Sequence, residues 1–170
     1  MLHIGARSPL RHWPSPRWTE LAERLAGRGY QVAWSTGPGE ARLVEEVDPK
    51  RRFAAYAGTL DLAQLWHLVA GADLLVTLDT GVAHLAKLTW TKTVCLFGPG
   101  SAFLLGRGEF FGDAPFTEVT IRDFPCRDRH QLFKREVTWV RHCARTLDEC
   151  QRPRCMEAIG LDDVMRAIQR

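Results

Sequence analysis

Short apolar runs alternate along the chain with segments whose apolar residues recur at helical spacing. The runs predict strands at residues 2–5, 31–35, 53–56, 72–78 and 93–97, and an edge strand at 119–121. The periodic segments predict one helix that begins at residue 16 and a second that follows the turn at residues 36–40 and ends at about residue 47. Three further helices are predicted to begin at about residues 59, 81 and 161. The run at 72–78 is typical of a central parallel strand covered on both faces. This alternation predicts an α/β fold: a Rossmann-like, doubly wound and mostly parallel sheet.

The alternation stops at about residues 122–158, a segment rich in Arg, Cys and His that we interpret as an irregular insertion. The chain has 170 residues, of which 45% are hydrophobic, and this suits one nucleotide-sugar-binding domain over residues 1–170. No apolar segment approaches the roughly 18 residues of a membrane span, and no secretory signal is visible at the start. We therefore expect a cytoplasmic protein.

The charge balance is close to neutral, with 23 Lys and Arg against 20 Asp and Glu and a formal net charge of +3. A nucleic-acid-binding protein usually concentrates basic residues in one patch or stripe. We therefore expect no nucleic-acid partner, although the small excess of basic residues suits anionic ligands such as phosphates.

The segment Asp79-Thr80-Gly81 follows the strongest predicted strand and precedes a helix. Gly81 permits close approach of a ligand to the backbone, and the free amides of the first helical turn favour an anion. Thr80 and His84 can add hydrogen-bond donors. Asp79 either orders the loop or accepts a hydrogen bond from a ligand hydroxyl. The same six residues, 79–84, are also an ordinary turn and helix start, so the motif alone leaves both interpretations open.

Loops after the other predicted strands are expected at the same edge of the sheet. Arg7 and Arg11 follow the first strand, and a guanidinium is well matched to a diphosphate. Glu40, in the turn after the second strand, is a candidate acceptor for ribose hydroxyls. Residues 98–101 are small and leave space for a sugar. Each feature alone is as compatible with a solvated loop as with a ligand site.

The insertion carries four of the five cysteines, at positions that could supply tetrahedral zinc ligands: Cys126, Cys143, Cys150 and Cys155. The spacing lacks a Cys-x-x-Cys pair, so free buried thiols or structural disulfides are the alternative. The Arg residues of the same segment either face acceptor phosphates or are solvated.

In this order and spacing, the segments resemble glycosyltransferase family 9, the bacterial heptosyltransferases of lipopolysaccharide core synthesis. The matching segments are residues 3–5, 11–14 with 17–18, 29–32, 37–40, 72–86 and 96–99. The resemblance runs from residue 2 to about 106. It implies the C-terminal half of a GT-B enzyme, in which two Rossmann-like domains face a cleft and this half binds the donor.

The resemblance implies the role of each candidate residue. Thr80, Gly81, His84 and Arg11 would bind the donor diphosphate, Asp79 would contact the sugar or order the loop, and Glu40 would contact the ribose. The substrate implied is a nucleotide diphosphate sugar resembling ADP-heptose, transferred with inversion and with no metal or other cofactor required. The catalytic base is unknown here, because the family supplies it from an N-terminal domain that this chain lacks.

The partners implied are the nucleotide-sugar donor, a glycolipid acceptor of the lipopolysaccharide type, and the missing N-terminal domain. Such an acceptor makes peripheral association with the inner face of the inner membrane possible. Two alternatives from other classes stay open: a stand-alone nucleotide-binding module, and a zinc-stabilised interaction module without catalysis. The chain by itself is expected to bind nucleotide without turnover.

Overall fold

The computed structural model describes residues 1–170 and contains one six-stranded sheet. Its strands are β1 (Leu2–His3), β2 (Ala33–Thr36), β3 (Ala54–Ala57), β4 (Leu75–Leu78), β5 (Thr93–Phe97) and β6 (Phe116–Thr120). Every pair of neighbouring strands is parallel, and the spatial order is β3-β2-β1-β4-β5-β6. The predicted α/β, Rossmann-like fold with a doubly wound parallel sheet is therefore confirmed.

Helices connect and cover these strands: α1 (Ser15–Ala26), α2 (Ala41–Val47), α3 (Leu62–Ala70), α4 (Gly81–Thr89), α5 (Ala102–Leu105), α6 (Arg154–Glu157) and α7 (Leu161–Ile168). Proline at the first turn of α1 presets the backbone for a helix. Asp61 caps α3 by accepting the amide of Gln64, which returns a hydrogen bond to the Asp61 amide. None of these helices is long and apolar enough to span a membrane.

The strand order reverses between β1 and β4, which are neighbours in space although two strands separate them in sequence. Chain connections from these two strands leave in opposite directions along the sheet. A crevice therefore opens beyond their carboxyl ends, and ligands of open α/β sheets bind at such reversals. The order of the strands places the crevice at the loops after His3 and Leu78.

The main core lies between the sheet and the layer formed by α1, α2 and α7. All four residues of β4 and all five of β5 are buried, as expected for central strands. Helix α7 packs against elements that are far from it in the sequence, and it buries five of its eight residues. The Trp13 indole and the Arg17 guanidinium both donate to the carbonyl of Ile159, at 2.9 and 2.6 Å, and thereby hold the start of α7 against α1.

The segment between β6 and α6 has little regular structure. It contains a two-stranded hairpin, β7 (Gln131–Leu132) and β8 (Arg135–Glu136), and its buried residues are Arg127 and Val140. Arg127 donates to the carbonyls of Phe97 and Gly98 at 3.0 and 2.8 Å, and to Ile121 and Thr120 on the β6 side. One buried guanidinium therefore fixes the root of the segment to the ends of β5 and β6.

Candidate functional site

An open cavity of about 700 Å³ lies at the reversal point, beyond the carboxyl ends of β1, β2 and β4. Six of the residues singled out from the sequence line it: Arg7, Arg11, Glu40, Thr80, Gly81 and His84. Asp79 lies directly below, where it is 3% exposed. Residues from three separate segments, those that follow β1, β2 and β4, thus meet at one place, as the common edge of a parallel sheet requires.

Asp79 and Arg11 connect the loop after β4 to the loop after β1. The Arg11 guanidinium donates to the Asp79 carbonyl at 2.6 Å, and its other terminal nitrogen lies 3.7 Å from the carboxylate. Burial raises the pKa of the Asp79 carboxyl, while the charges of Arg11, His84 and Lys87 oppose that shift. The Asp79 Oδ2 atom is buried and accepts no hydrogen bond. Arg11 is therefore positioned by Asp79, and its side chain remains 37% exposed to the cavity.

Thr80 and Gly81 form the beginning of α4. The first amides of a helix have no acceptor within the helix and carry its positive end. The hydroxyl of Thr80 does not cap them: its Oγ1 atom is buried and has no hydrogen-bond partner. A Cβ added at Gly81 would meet no heavy atom within 4 Å, so this position opens on free space. The arrangement leaves several donors available to an anion.

His84 lies on the first turn of α4 and faces the same cavity. Burial lowers its pKa first, the Lys87 charge lowers it further, and Asp79 opposes both effects. The imidazole is therefore neutral at pH 7 and offers one N–H donor. Lys87 itself is turned away from the cavity and donates to the carbonyls of Leu105 and Gly106 at 3.0 and 2.8 Å.

One carboxylate oxygen of Glu40 accepts a hydrogen bond within the turn that contains this residue. Its Oε2 atom accepts the amide of Gly37 at 2.8 Å and lies against Gly5, where a Cβ would overlap it. One carboxylate oxygen therefore shapes the floor between β1 and β2, and the other remains for a ligand hydroxyl. The predicted ribose contact stays a prediction, limited to that second oxygen.

Two features of the cavity were missed in the sequence. Thr36, the last residue of β2, places a buried Oγ1 atom without a partner at the cavity wall. The only sequence signal was its place before Gly37-Pro38-Gly39. The second feature is an apolar wall built from α3 and α4, in which Leu62 is 73% and Leu88 55% exposed. Helical periodicity assigned these leucines to apolar faces without indicating that they face a crevice.

The cysteine cluster was considered as a zinc site. Cys126, Cys143, Cys150 and Cys155 line one cavity of about 560 Å³, next to Pro99 and the start of α6, and all are free thiols. No three His, Cys, Asp or Glu side chains are disposed to hold a metal ion. Burial raises the pKa of the Cys126 and Cys155 thiols, the latter to about 11. The geometry gives the zinc hypothesis no support.

Known proteins with related sequences share this arrangement of segments. The family model of glycosyltransferase family 9 (heptosyltransferase) matches residues 1–106. Lipopolysaccharide heptosyltransferase 1 of Pseudomonas aeruginosa is 35% identical over 137 residues, which are 74% of this chain and 39% of that protein. The chain therefore belongs to glycosyltransferase family 9.

Solved structures share the fold of this chain. The structure of E. coli ADP-heptose lipopolysaccharide heptosyltransferase II matches 99% of this chain and 44% of its own, with a TM-score of 0.71 and 20% identity. The E. coli heptosyltransferase WaaC with ADP matches 62% of this chain and 33% of its own, with a TM-score of 0.56 and 25% identity. The chain thus spans about two fifths of the length of such relatives.

Proposed function

We propose that this chain is the donor-binding domain of a glycosyltransferase that moves a heptose-like sugar from a nucleotide diphosphate sugar to an acceptor of the lipopolysaccharide type. The observation that carries the proposal is the set of buried polar atoms without hydrogen-bond partners. Thr36 and Thr80, which carry two of these atoms, line the crevice, and the third atom, Asp79 Oδ2, is buried next to Arg11. An unpaired buried polar group costs about 1–3 kcal/mol, and a bound ligand that satisfies it removes that cost.

The charge distribution suits a diphosphate leaving group. The first amides of α4, the Thr80 hydroxyl, the His84 N–H and the exposed part of Arg11 all converge on the cavity. Such preorganised donors stabilise the negative charge that develops on a departing diphosphate. They supply this stabilisation without a metal ion, so we propose metal-independent transfer with inversion. Thr80, Gly81, His84 and Arg11 bind the diphosphate in this proposal, and Asp79 orders the loop by orienting Arg11.

The apolar wall suits the nucleobase. Leu62 and Leu88 are more exposed than apolar side chains in a core, and Leu65 and Leu85 lie beside them in the cavity lining. A flat heterocycle between α3 and α4 would cover them, and the diphosphate would then reach the start of α4. The nucleotide proposed is ADP, the one that the solved relative WaaC contains.

The complete enzyme would need a second domain. The groups at this crevice bind and stabilise the leaving group, whereas the Asp79 carboxylate is buried and the free oxygen of Glu40 is assigned to the ribose in this proposal. We propose that an N-terminal acceptor-binding domain supplies the base. For an acceptor of the lipopolysaccharide type, we propose that the reaction takes place in the cytoplasm, with peripheral association of the enzyme at the inner face of the inner membrane.

Isothermal titration of the chain with ADP, UDP and GDP tests the donor assignment. Thr80→Val removes a buried hydroxyl that has no partner, so we expect equal or higher thermal stability of the ligand-free chain together with at least tenfold weaker ADP binding. Thr117→Val, on the edge strand β6 and away from the cavity, is the matched control and should bind ADP normally. The chain alone should transfer no sugar. Failure of every nucleoside diphosphate to bind, or normal binding by Thr80→Val, would contradict the proposal.

A further inference from the structure

A second open cavity, of about 890 Å³, lies beside the donor crevice at the carboxyl ends of β5 and β6. One wall consists of Ser101 and α5, and the opposite wall comes from the segment that Arg127 fixes to the sheet. The walls of the two cavities approach each other where Gly100, the residue before Ser101, packs against the carboxylate of Asp79, the residue before Thr80. We call this second cavity the aromatic pocket.

Two exposed aromatic rings face each other in the aromatic pocket. Phe103 is 72% and Trp139 is 63% exposed, and their ring centroids lie 5.8 Å apart at an interplanar angle of 70°. Trp139 is held in place by its neighbour Val140, which is fully buried. Large rings presented on a fixed backbone mark a binding surface, because their apolar area is left in water until a partner covers it.

The polar groups of the pocket are suited to an anion that also carries hydroxyl groups. Arg107 and Arg122 line it, and neither guanidinium has an acidic partner within 4.0 Å. Arg141 by contrast pairs with Asp123 at 3.3 Å. Unpaired guanidinium groups bind phosphate or carboxylate in two-point contacts. The carboxylates of Asp123 and Glu109 can accept hydrogen bonds from hydroxyl groups.

From this combination we infer that the aromatic pocket binds an anionic saccharide on the acceptor side of the reaction. The rings would cover the C–H face of a sugar, the free arginines would bind its phosphate or carboxylate, and the carboxylates would accept its hydroxyl groups. The inference rests on the proposed function. It adds an acceptor-binding role to a domain that the donor proposal uses only for the nucleotide sugar.

The test is titration with a deacylated, phosphorylated oligosaccharide from the lipopolysaccharide inner core, with ADP present at saturation. We expect wild-type binding, at least tenfold weaker binding by Trp139→Ala, and a similar loss by Arg107→Gln/Arg122→Gln. Removing the phosphates from the oligosaccharide should weaken its binding to the wild type. The affinity of the double arginine variant should be the same for the oligosaccharide with and without phosphates. Phe133→Ala, an exposed ring at the hairpin tip and outside the pocket, is the matched control.

Thermal unfolding of each variant should match the wild type, since the replaced side chains are exposed, and ADP affinity should not change. Equal oligosaccharide binding by wild type and Trp139→Ala would overturn the inference. Binding of ADP without any oligosaccharide binding would also overturn it, while leaving the proposed function intact. If the chain bound the oligosaccharide but bound no nucleoside diphosphate, the result would support the role of the aromatic pocket and would contradict the donor assignment instead.

Discussion

His3 is a buried histidine that the proposed chemistry does not use. It ends β1 below the crevice, is 5% exposed, and its Nδ1 atom lies 3.0 Å from the Ser35 hydroxyl. Burial lowers its pKa from 6.5 to about 4, because the interior disfavours the charged imidazolium. The residue therefore connects the protonation state of one side chain to the stability of the central sheet.

We predict that His3 makes the fold sensitive to mild acid. Between pH 6.5 and 4 the unfolded chain binds a proton at this residue and the folded chain does not, so stability falls as pH decreases through that window. The full loss is about 3 kcal/mol. Urea unfolding at several pH values measures it. His3→Gln should flatten the dependence, whereas His67→Gln, at an exposed position, should not; an unchanged slope in His3→Gln would count against this origin.

The location of candidate site residues could be predicted where those residues are adjacent in sequence, and the roles assigned to them stay predictions. Asp79, Thr80, Gly81 and His84 could be singled out because a strand end and a helix start meet there. Thr36 could not, since a threonine that ends a strand is common and its hydroxyl becomes buried without a partner only once β2 lies between β1 and β3. The commitment of Glu40 to Gly37 was equally invisible, because it depends on the turn's exact path.

At the scale of elements, two glycines lie near Asp79 and differ in the space available for a side chain. Gly81 begins α4 and faces open space, whereas a Cβ at Gly100, in the loop after β5, would overlap the Asp79 carboxylate. The first glycine leaves room for a ligand, and the second leaves room for a side chain of the protein itself.

Alanine at these two glycines should therefore separate binding from folding. Gly81→Ala should keep or slightly raise the free energy of unfolding, by up to about 1 kcal/mol, while weakening ADP binding at least tenfold. Gly100→Ala should lower the free energy of unfolding by about 1–3 kcal/mol, because it overpacks a buried contact. Chemical denaturation and titration with ADP measure both quantities. Normal ADP affinity in Gly81→Ala would show that the ligand does not approach the start of α4.

The bounds of a strand could be predicted from the sequence where its apolar run has clear ends. β5 lies at residues 93–97 as predicted, since its apolar run has clear ends. The predicted edge strand at 119–121 is instead β6, Phe116–Thr120, because pairing with β5 fixes its register and the half-exposed strand alternates only weakly. The irregular segment at about residues 122–158 has no helical or strand periodicity from which its structure could be predicted. Its attachment depends on Arg127, a buried arginine, whereas the sequence predicts that the arginines of this segment either face acceptor phosphates or are solvated.

At the scale of the whole molecule, nucleotide binding should raise stability. A ligand present at one hundred times its dissociation constant stabilises the folded state by about 2.7 kcal/mol. For a chain of this size we expect ADP to raise Tm by about 5–10 °C. Thermal unfolding with ADP and EDTA should give the same shift as with ADP alone, because donors from α4 and Arg11 take the place of a metal. Loss of the shift on chelation would contradict metal-independent binding, and Thr80→Val should show a reduced shift.

The contact between α1 and α7 also determines when the molecule can finish folding. Trp13 bonds the carbonyl of Ile159, 146 positions later in the chain, and α7 covers the apolar face of α1. During synthesis, the β1-to-β6 sheet is complete long before its covering helix leaves the ribosome. Until then the Trp18 side of α1 is exposed, so this interval is when chaperone binding or aggregation competes with folding.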